Sequence, residues 1–216
     1  MIRLFLKAKH WQLFFLMVGV PIIGYIFFVI QLINTFEMQS STSGTMTTPA
    51  GVIDMMRPIL FFVMIPILVQ IGWYYSLGKG VQRFINPALK MKTTVFTLSN
   101  LLPLIFFVGM IILFNRFFGN LVLNPNYVPP TSYMSTLVLF VLVPLNIILT
   151  VCMVYNYYVI ARTIKTAELN RVVRFSDYAG EFFSMWFHFI GVWIVQPKVN
   201  QLQEYVPGDI VNELHD

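Results

Sequence analysis

Charge is scarce in this chain of 216 residues: only 11% of the residues are charged, whereas 57% are hydrophobic and 16% are aromatic. Soluble proteins carry about 25% charged residues. With so few charges, a soluble fold of this size would expose large apolar patches. The composition therefore excludes a disordered chain and an ordinary cytosolic enzyme, and it predicts a membrane protein.

Cysteine is also scarce, and the residue patterns of familiar enzyme sites are missing. The single cysteine, Cys152, has no second cysteine with which to form a disulfide. The three histidines, at positions 10, 188 and 215, lie too far apart in sequence for a metal-ligand motif. The chain also has no H-E-x-x-H, G-x-S-x-G or phosphate-binding loop. We therefore expect no metal site, no cofactor and no catalytic residue.

The few charges avoid four long stretches, which are 13–33, 58–77, 95–114 and 137–161. A helix needs about 20 apolar residues to cross the hydrocarbon core, and in lipid it must pair its own backbone groups. The sequence therefore predicts an all-α polytopic membrane helical bundle, a single membrane domain over 1–216 with four transmembrane helices. A fifth uncharged segment, 182–195, is short, so both a thin span and an in-plane or re-entrant segment stay open.

The basic residues predict which side of the membrane each loop occupies. Eleven of the 14 lysines and arginines fall on one side if the four stretches span, because they lie in the N-terminal segment and in the second and fourth loops. Cytoplasmic loops are enriched in basic residues, so the N-terminus is predicted to be cytoplasmic. The net charge of +5 follows from this topology and requires no nucleic acid. On the outer side lies the polar loop 34–57, while 197–216 is an acidic tail.

Each of the four stretches contains a proline near its middle, and polar side chains lie close to these prolines. Proline breaks the helical hydrogen-bond pattern and frees a carbonyl, which in transporters can line a solute path. Polar side chains in membrane helices more often bond to neighbouring helices. The candidate kink and polar positions in the bundle are Pro21, Pro66, Gln70, Asn100, Pro103, Pro144, Asn146 and Thr150.

A second group of candidates forms a predicted interface near the fifth segment. Asp177, Glu181 and His188 are spaced by four and seven residues, so a continuous helix would place them on one face. A carboxylate beside a histidine can perform acid–base chemistry, although Asp177 also fits a helix cap and Glu181 fits a first helical turn. Trp186 and Trp193 are typical of the headgroup region.

The last third of the chain resembles a family of small bacterial multi-pass inner-membrane proteins without an assigned activity. The similarity lies mainly in FSDYAGEFF (175–183) and IGVWIVQPKVN (190–200), with further pieces in ARTIK (161–165) and LKMKTTVF (89–96). The resemblance implies a bacterial inner membrane and a distinctive C-terminal segment. It supplies no catalytic residue and no substrate.

Three functions are compatible with these features. The first is a non-enzymatic integral membrane protein that acts as a subunit or scaffold of a membrane complex, with a protein partner or a second copy of itself and with contacts to anionic lipid headgroups. The second is a small transporter or channel for a neutral or amphipathic solute, suggested by the four prolines. The third is a lipid-headgroup-modifying enzyme that uses His188.

Overall fold

A computed structural model describes residues 2–41, 49–123 and 138–205 of the chain. Residues 42–48 of the predicted outer loop 34–57 and residues 206–216 of the acidic tail 197–216 lie outside the described residues, and the remaining residues of both segments belong to helices. Within the described ranges every regular element is helical and no strand occurs. The predicted all-α class is therefore confirmed for this part of the chain.

The helices follow one another with few interruptions. The α-helices are α1 (Ile2–Lys7), α2 (His10–Phe14), α3 (Val20–Ser41), α4 (Pro49–Tyr75), α5 (Thr94–Leu123), α6 (Val143–Leu169), α7 (Phe175–Trp186) and α8 (His188–Tyr205). Wider π-helical turns are Phe15–Gly19, Ser76–Gly80 and Val138–Leu142, and short 3₁₀ segments are Val81–Phe84 and Pro87–Leu89. The first π turn joins α2 to α3, so the chain is helical without a break from His10 to Ser41.

Three helices of the described chain are long and apolar enough to cross a membrane, as judged by length and composition. They cover His10–Thr35, Thr94–Leu113 and Leu139–Leu169, and they coincide with the first, third and fourth predicted spans. In the most apolar stretch of Leu139–Leu169 only 6% of the residues are buried inside the protein. Such an apolar and exposed surface is suited to contact with lipid rather than with water.

The second predicted span, 58–77, and the fifth segment, 182–195, are not among these three candidate spans in the described part of the chain. Residues 58–77 lie in α4 and run into the π turn Ser76–Gly80. The segment 182–195 is divided at Phe187, whose backbone angles (φ −96°, ψ 82°) are not helical. It therefore belongs to two helices, α7 and α8, which pack against each other as a hairpin.

Neighbouring helices in the sequence are also neighbours in the bundle, and α8 returns to pack against α1 and α2. The shared core lies at one end of the bundle, where the C-terminal parts of α4 and α6 meet α1, the start of α5, and α8. Its fully buried side chains include Leu6, Trp73, Leu77, Phe96, Ile160, Ile164 and Val195. We call this the basic end, because Arg3, Lys7, Lys79, Arg83 and Arg162 belong to it.

Small residues allow the close approach of helices at the basic end. A Cβ atom on Gly80 would lie 2.6 Å from Ile2, which shows how closely α1 rests on the π turn. A Cβ atom on Gly191 would lie 2.7 Å from the carbonyl oxygen of Ser184, so α7 and α8 touch through their backbones. The opposite halves of the spans expose large apolar side chains such as Ile26, Ile112 and Phe140.

Candidate functional site

Gln196 is the most connected polar residue of the basic end. Its side chain is fully buried and lies between α1 and the end of α4. The indole Nε1 of Trp73 donates to its Oε1 at 2.8 Å. Its Nε2 lies 2.9 Å from the carbonyl oxygen of Ala8 and 3.1 Å from those of Phe5 and Leu6. One glutamine thus joins α8 to α4 and to the α1–α2 junction.

The α1–α2 junction explains why a buried amide is needed there. A helix leaves its last carbonyl groups without intrahelical partners, and α1 is only one and a half turns long. Gln196, Asn200 and Gln203 lie along α8 and supply donors to these carbonyls; Gln203 Nε2 donates to the carbonyl oxygen of Leu6 at 2.7 Å. The C-terminal helix therefore caps the N-terminal one.

Two further buried contacts join α5 to its neighbours. The hydroxyl of Ser99 lies 2.6 Å from Asn156 Oδ1 in α6, and it donates there or to the carbonyl oxygen of Phe96 at 3.0 Å. Asn100 Nδ2 donates to the carbonyl oxygen of Ile71 in α4 at 3.0 Å. Hydrogen bonds of this kind hold membrane helices together, at about 0.6–2 kcal/mol each.

Glu181 lies buried among three helices at the basic end. Lys198 of α8 donates a short hydrogen bond to its Oε1, and Lys165 of α6 lies 3.6 Å from the same oxygen. Burial alone would raise the pKa of Glu181, but the Lys198 hydrogen bond, a backbone hydrogen bond and the charges of both lysines hold it below its usual value. The carboxylate is therefore ionised at neutral pH and links α6, α7 and α8.

The four prolines occupy different surroundings. Pro21 and Pro144 each come two residues after a π turn, Phe15–Gly19 and Val138–Leu142 respectively. A wider turn accommodates a proline ring that would clash with the preceding turn of an α-helix. Pro66 and Pro103 lie inside the regular helices α4 and α5. Pro144 is exposed, so the four prolines do not enclose a common waist.

The predicted polar face of α6 is divided between the surface and the core. Asn146 and Thr150 are exposed and donate to carbonyl oxygens of their own helix, at 3.0 and 2.8 Å. Tyr157 is buried, and its ring packs edge-on against Tyr74 of α4 with centroids 5.8 Å apart. Gln70 Nε2 lies 3.0 Å from the hydroxyl of Tyr74. The structure brings Gln70, Tyr74 and Tyr157 together but leaves Asn146 and Thr150 outside this group.

The continuous helix that would align Asp177, Glu181 and His188 is not present, because α7 ends at Trp186 and His188 begins α8. Asp177 caps α7 by accepting from the backbone nitrogen of Arg174 at 2.9 Å. The other acid of the group, Glu181, is bound by Lys198 and Lys165. These carboxylates hold helices in place through their contacts with Arg174, Lys165 and Lys198.

The two tryptophans of the predicted interface lie on the exposed edge of the α7–α8 hairpin. Both are about half exposed; Trp186 contacts Tyr157, and Trp193 packs against His10 with ring centroids 4.5 Å apart and the ring planes tilted by 53°. Exposed aromatic side chains continue along this edge. We call Phe183, Trp186, Phe187, Phe189 and Trp193 the aromatic edge.

The sequence reasoning missed Gln196, Asn156, Lys165 and Lys198 as members of the polar network. Gln196 carries a readable signal, because it is the polar residue that follows directly on the uncharged segment 182–195. Asn156 lies within the fourth predicted span, where a polar side chain needs a partner. Neither observation identifies the hydrogen-bond partner. The partner of Asn156 is Ser99, 57 residues away, and that of Gln196 is Trp73, 123 residues away.

The buried polar side chains of the described residues are paired within the protein. Among the residues that the structure describes, no buried side-chain nitrogen or oxygen lacks a hydrogen-bond partner. In the same residues no three histidine, cysteine or acidic side chains are grouped so that they could hold a metal ion. The arrangement can fix the relative positions of six helices, which are α1, α4, α5, α6, α7 and α8.

Comparison of the chain with protein-family models, with curated proteins and with solved structures gives no match.

Proposed function

We propose that this chain is a multi-pass protein of a bacterial inner membrane that acts as a non-enzymatic subunit or scaffold of a membrane complex. Its basic end and its N-terminus face the cytoplasm, because this end carries most of the lysines and arginines. The observation that carries the proposal is the polar network. Its buried amide, hydroxyl and carboxylate groups join helices to one another and make the basic end a rigid platform.

The alternatives receive less support from the same geometry. A solute path needs polar groups that face a shared interior, whereas Asn146 and Thr150 lie on the outer surface of α6 and bond to their own helix. A lipid-headgroup enzyme that uses His188 needs a catalytic partner. The carboxylates nearest in sequence are bound by Arg174 and by two lysines.

The proposed topology has four spans, 13–33, 58–77, 95–114 and 137–161, and an α7–α8 hairpin that enters from the cytoplasmic side without crossing. Both helices of the hairpin contact elements of the basic end: Glu181 reaches Lys165, and Gln196 reaches α1. The helix breaks at Phe187, and the ion pair between Glu181 and Lys198 shows that α8 returns along α7. Residue 205 would therefore lie on the same side as residue 2.

A reporter fusion tests this topology. A reporter joined after Tyr205 is expected to be active as a cytoplasmic fusion and inactive as an exported one, because the hairpin returns to its side of origin. A matched fusion after Leu123, at the end of α5, should give the opposite result. An exported signal from the Tyr205 fusion would establish a fifth span and reject the re-entrant hairpin.

In-cell photo-crosslinking tests the role as a subunit. A photo-reactive amino acid at Phe183, on the aromatic edge, is expected to give a discrete protein adduct, with either a second copy or another membrane protein. The same amino acid at Ile112, exposed on the opposite half of α5, is the control and should give mainly lipid adducts. A monomer that forms no protein adduct at either position would contradict the proposal.

A further inference from the structure

An open groove of about 840 Å³ runs between α1, α2 with the start of the π turn Phe15–Gly19, and the side of α4. Its floor and walls are apolar and include Leu4, Phe5, Leu13, Leu16 and Val69. Leu13 belongs to the core, while Leu4 is 70% exposed and stands at the margin. The groove is therefore an apolar surface that the described part of the chain leaves uncovered.

Basic side chains stand along one margin of this groove. Arg3 and Lys7 lie one helical turn apart on α1, and both are exposed and line the groove. Arg83 does not line the groove but lies near Arg3; burial and then the positive charge of Arg3 lower the pKa of Arg83. No acidic side chain is present among the described residues that line the groove. The lining of the groove therefore carries a net positive charge.

The position of the groove relative to the first span favours a lipid over a soluble anion as the ligand. The first candidate span begins at His10, so α1 precedes it while Trp11, Leu13 and Leu16 fall inside it. Trp11 is 54% exposed at the start of the span, where tryptophan marks the headgroup level. The basic margin therefore lies at headgroup depth, and the apolar floor continues toward the hydrocarbon. A soluble phosphate would occupy only the margin.

We propose that the groove binds one anionic phospholipid of the cytoplasmic leaflet, with its phosphate at Arg3 and Lys7 and an acyl chain along Leu13, Leu16 and Val69. The site deepens the proposed function and rests on the cytoplasmic placement of the basic end. A guanidinium binds phosphate oxygens through two parallel hydrogen bonds, and a lysine adds a point charge. A zwitterionic headgroup would also bring a cation to this margin, so the site favours a net negative headgroup.

Native mass spectrometry of the purified full-length chain tests the site, with phosphatidylglycerol and phosphatidylcholine of identical acyl chains as probes. The wild-type protein is expected to retain one phosphatidylglycerol at a concentration at which phosphatidylcholine is largely lost. The Arg3→Ala/Lys7→Ala variant should bind phosphatidylglycerol about 30-fold more weakly, since each of the two basic residues near anionic lipid contributes roughly 1 kcal/mol and about 1.4 kcal/mol corresponds to tenfold. Lys90→Ala/Lys92→Ala removes the same charge from exposed positions away from the groove and should bind as wild type does.

A third variant distinguishes binding in the groove from general electrostatic attraction of lipid to the protein surface. Leu16→Asn keeps every charge but makes the wall of the groove polar, so phosphatidylglycerol binding should also weaken. Three results would each overturn the proposal: equal binding of the two lipids, equal weakening of phosphatidylglycerol binding in the two double variants, and full displacement of phosphatidylglycerol by inorganic phosphate. Failure of the site is distinguishable from failure of the scaffold role, because the Phe183 photo-crosslink is recorded in the same Arg3→Ala/Lys7→Ala variant and should persist.

Discussion

Replacing Gln196 with leucine is expected to lower the free energy of unfolding by about 3 kcal/mol, because a buried donor without a partner costs roughly 1–3 kcal/mol and several hydrogen bonds are lost with it. The donor is the indole Nε1 of Trp73, which bonds to Gln196 Oε1. The carbonyl oxygens of Leu6 and Ala8 keep their hydrogen bonds from Gln203 and Asn200, at 2.7 and 3.4 Å. Most of the lost stability therefore comes from the unpaired indole Nε1 of Trp73 and from the weaker attachment of α8 to α1.

Thermal unfolding of the purified protein measures this effect. A loss of about 3 kcal/mol corresponds to a Tm lower by roughly 6–12 °C for a chain of this size. Gln201→Leu is the matched control, because Gln201 lies in the same helix but is exposed, and its replacement should change stability by about 0.5 kcal/mol or less. Equal Tm values for the two variants would show that the Gln196 contacts do not stabilise α1 and α4.

Three of the predicted spans were readable from the sequence because the constraint that defines them is local. A span must be free of charge over about 20 consecutive residues and must be helical, whatever it packs against. The candidate spans His10–Thr35, Thr94–Leu113 and Leu139–Leu169 follow the uncharged stretches closely. The cap at Asp177 is equally local, since the acceptor and the donor nitrogen are three residues apart.

The break at Phe187 was beyond this kind of reasoning. No proline or glycine occupies position 187, and the backbone turn is fixed by the packing of α8 against α7, where Gly191 lies directly on Ser184. The sequence offered 182–195 as one segment because it lacks charges. Charge alone does not distinguish one short helix from the tip of a hairpin.

The orientation of polar residues in the spans was also unpredictable, for a different reason. In a soluble helix the polar face is the solvent face, but in a membrane helix both the lipid and the protein interior are apolar. Asn146 and Asn156 are both polar residues of α6, yet the first is exposed and the second is buried against Ser99. A single sequence carries no pattern that separates them.

Glu181→Leu is expected to destabilise the protein by about 2 kcal/mol, because it leaves Lys198 and Lys165 facing each other at a partly buried site. Removing one partner of a fully buried ion pair costs about 3–5 kcal/mol. The loss is smaller here, since the Lys198 side chain is one third exposed and can turn toward water. The double variant Glu181→Leu/Lys198→Met should recover at least half of the lost stability, because it removes the uncompensated charge.

The pH dependence of unfolding distinguishes the ion pair from simple packing. The pKa of Glu181 is lower in the folded protein than in the unfolded chain, where a glutamate titrates at about 4.3. Its contribution to stability is therefore complete above about pH 4.3 and is lost as the pH falls through the lower folded pKa. We expect the unfolding midpoint of the wild type to drop more steeply between about pH 5 and pH 3 than that of Glu181→Gln. Glu168→Gln removes an exposed carboxylate paired with Lys165 and should keep the steep wild-type slope. A shallow slope in Glu168→Gln would show that Glu168, and not Glu181, causes the pH dependence.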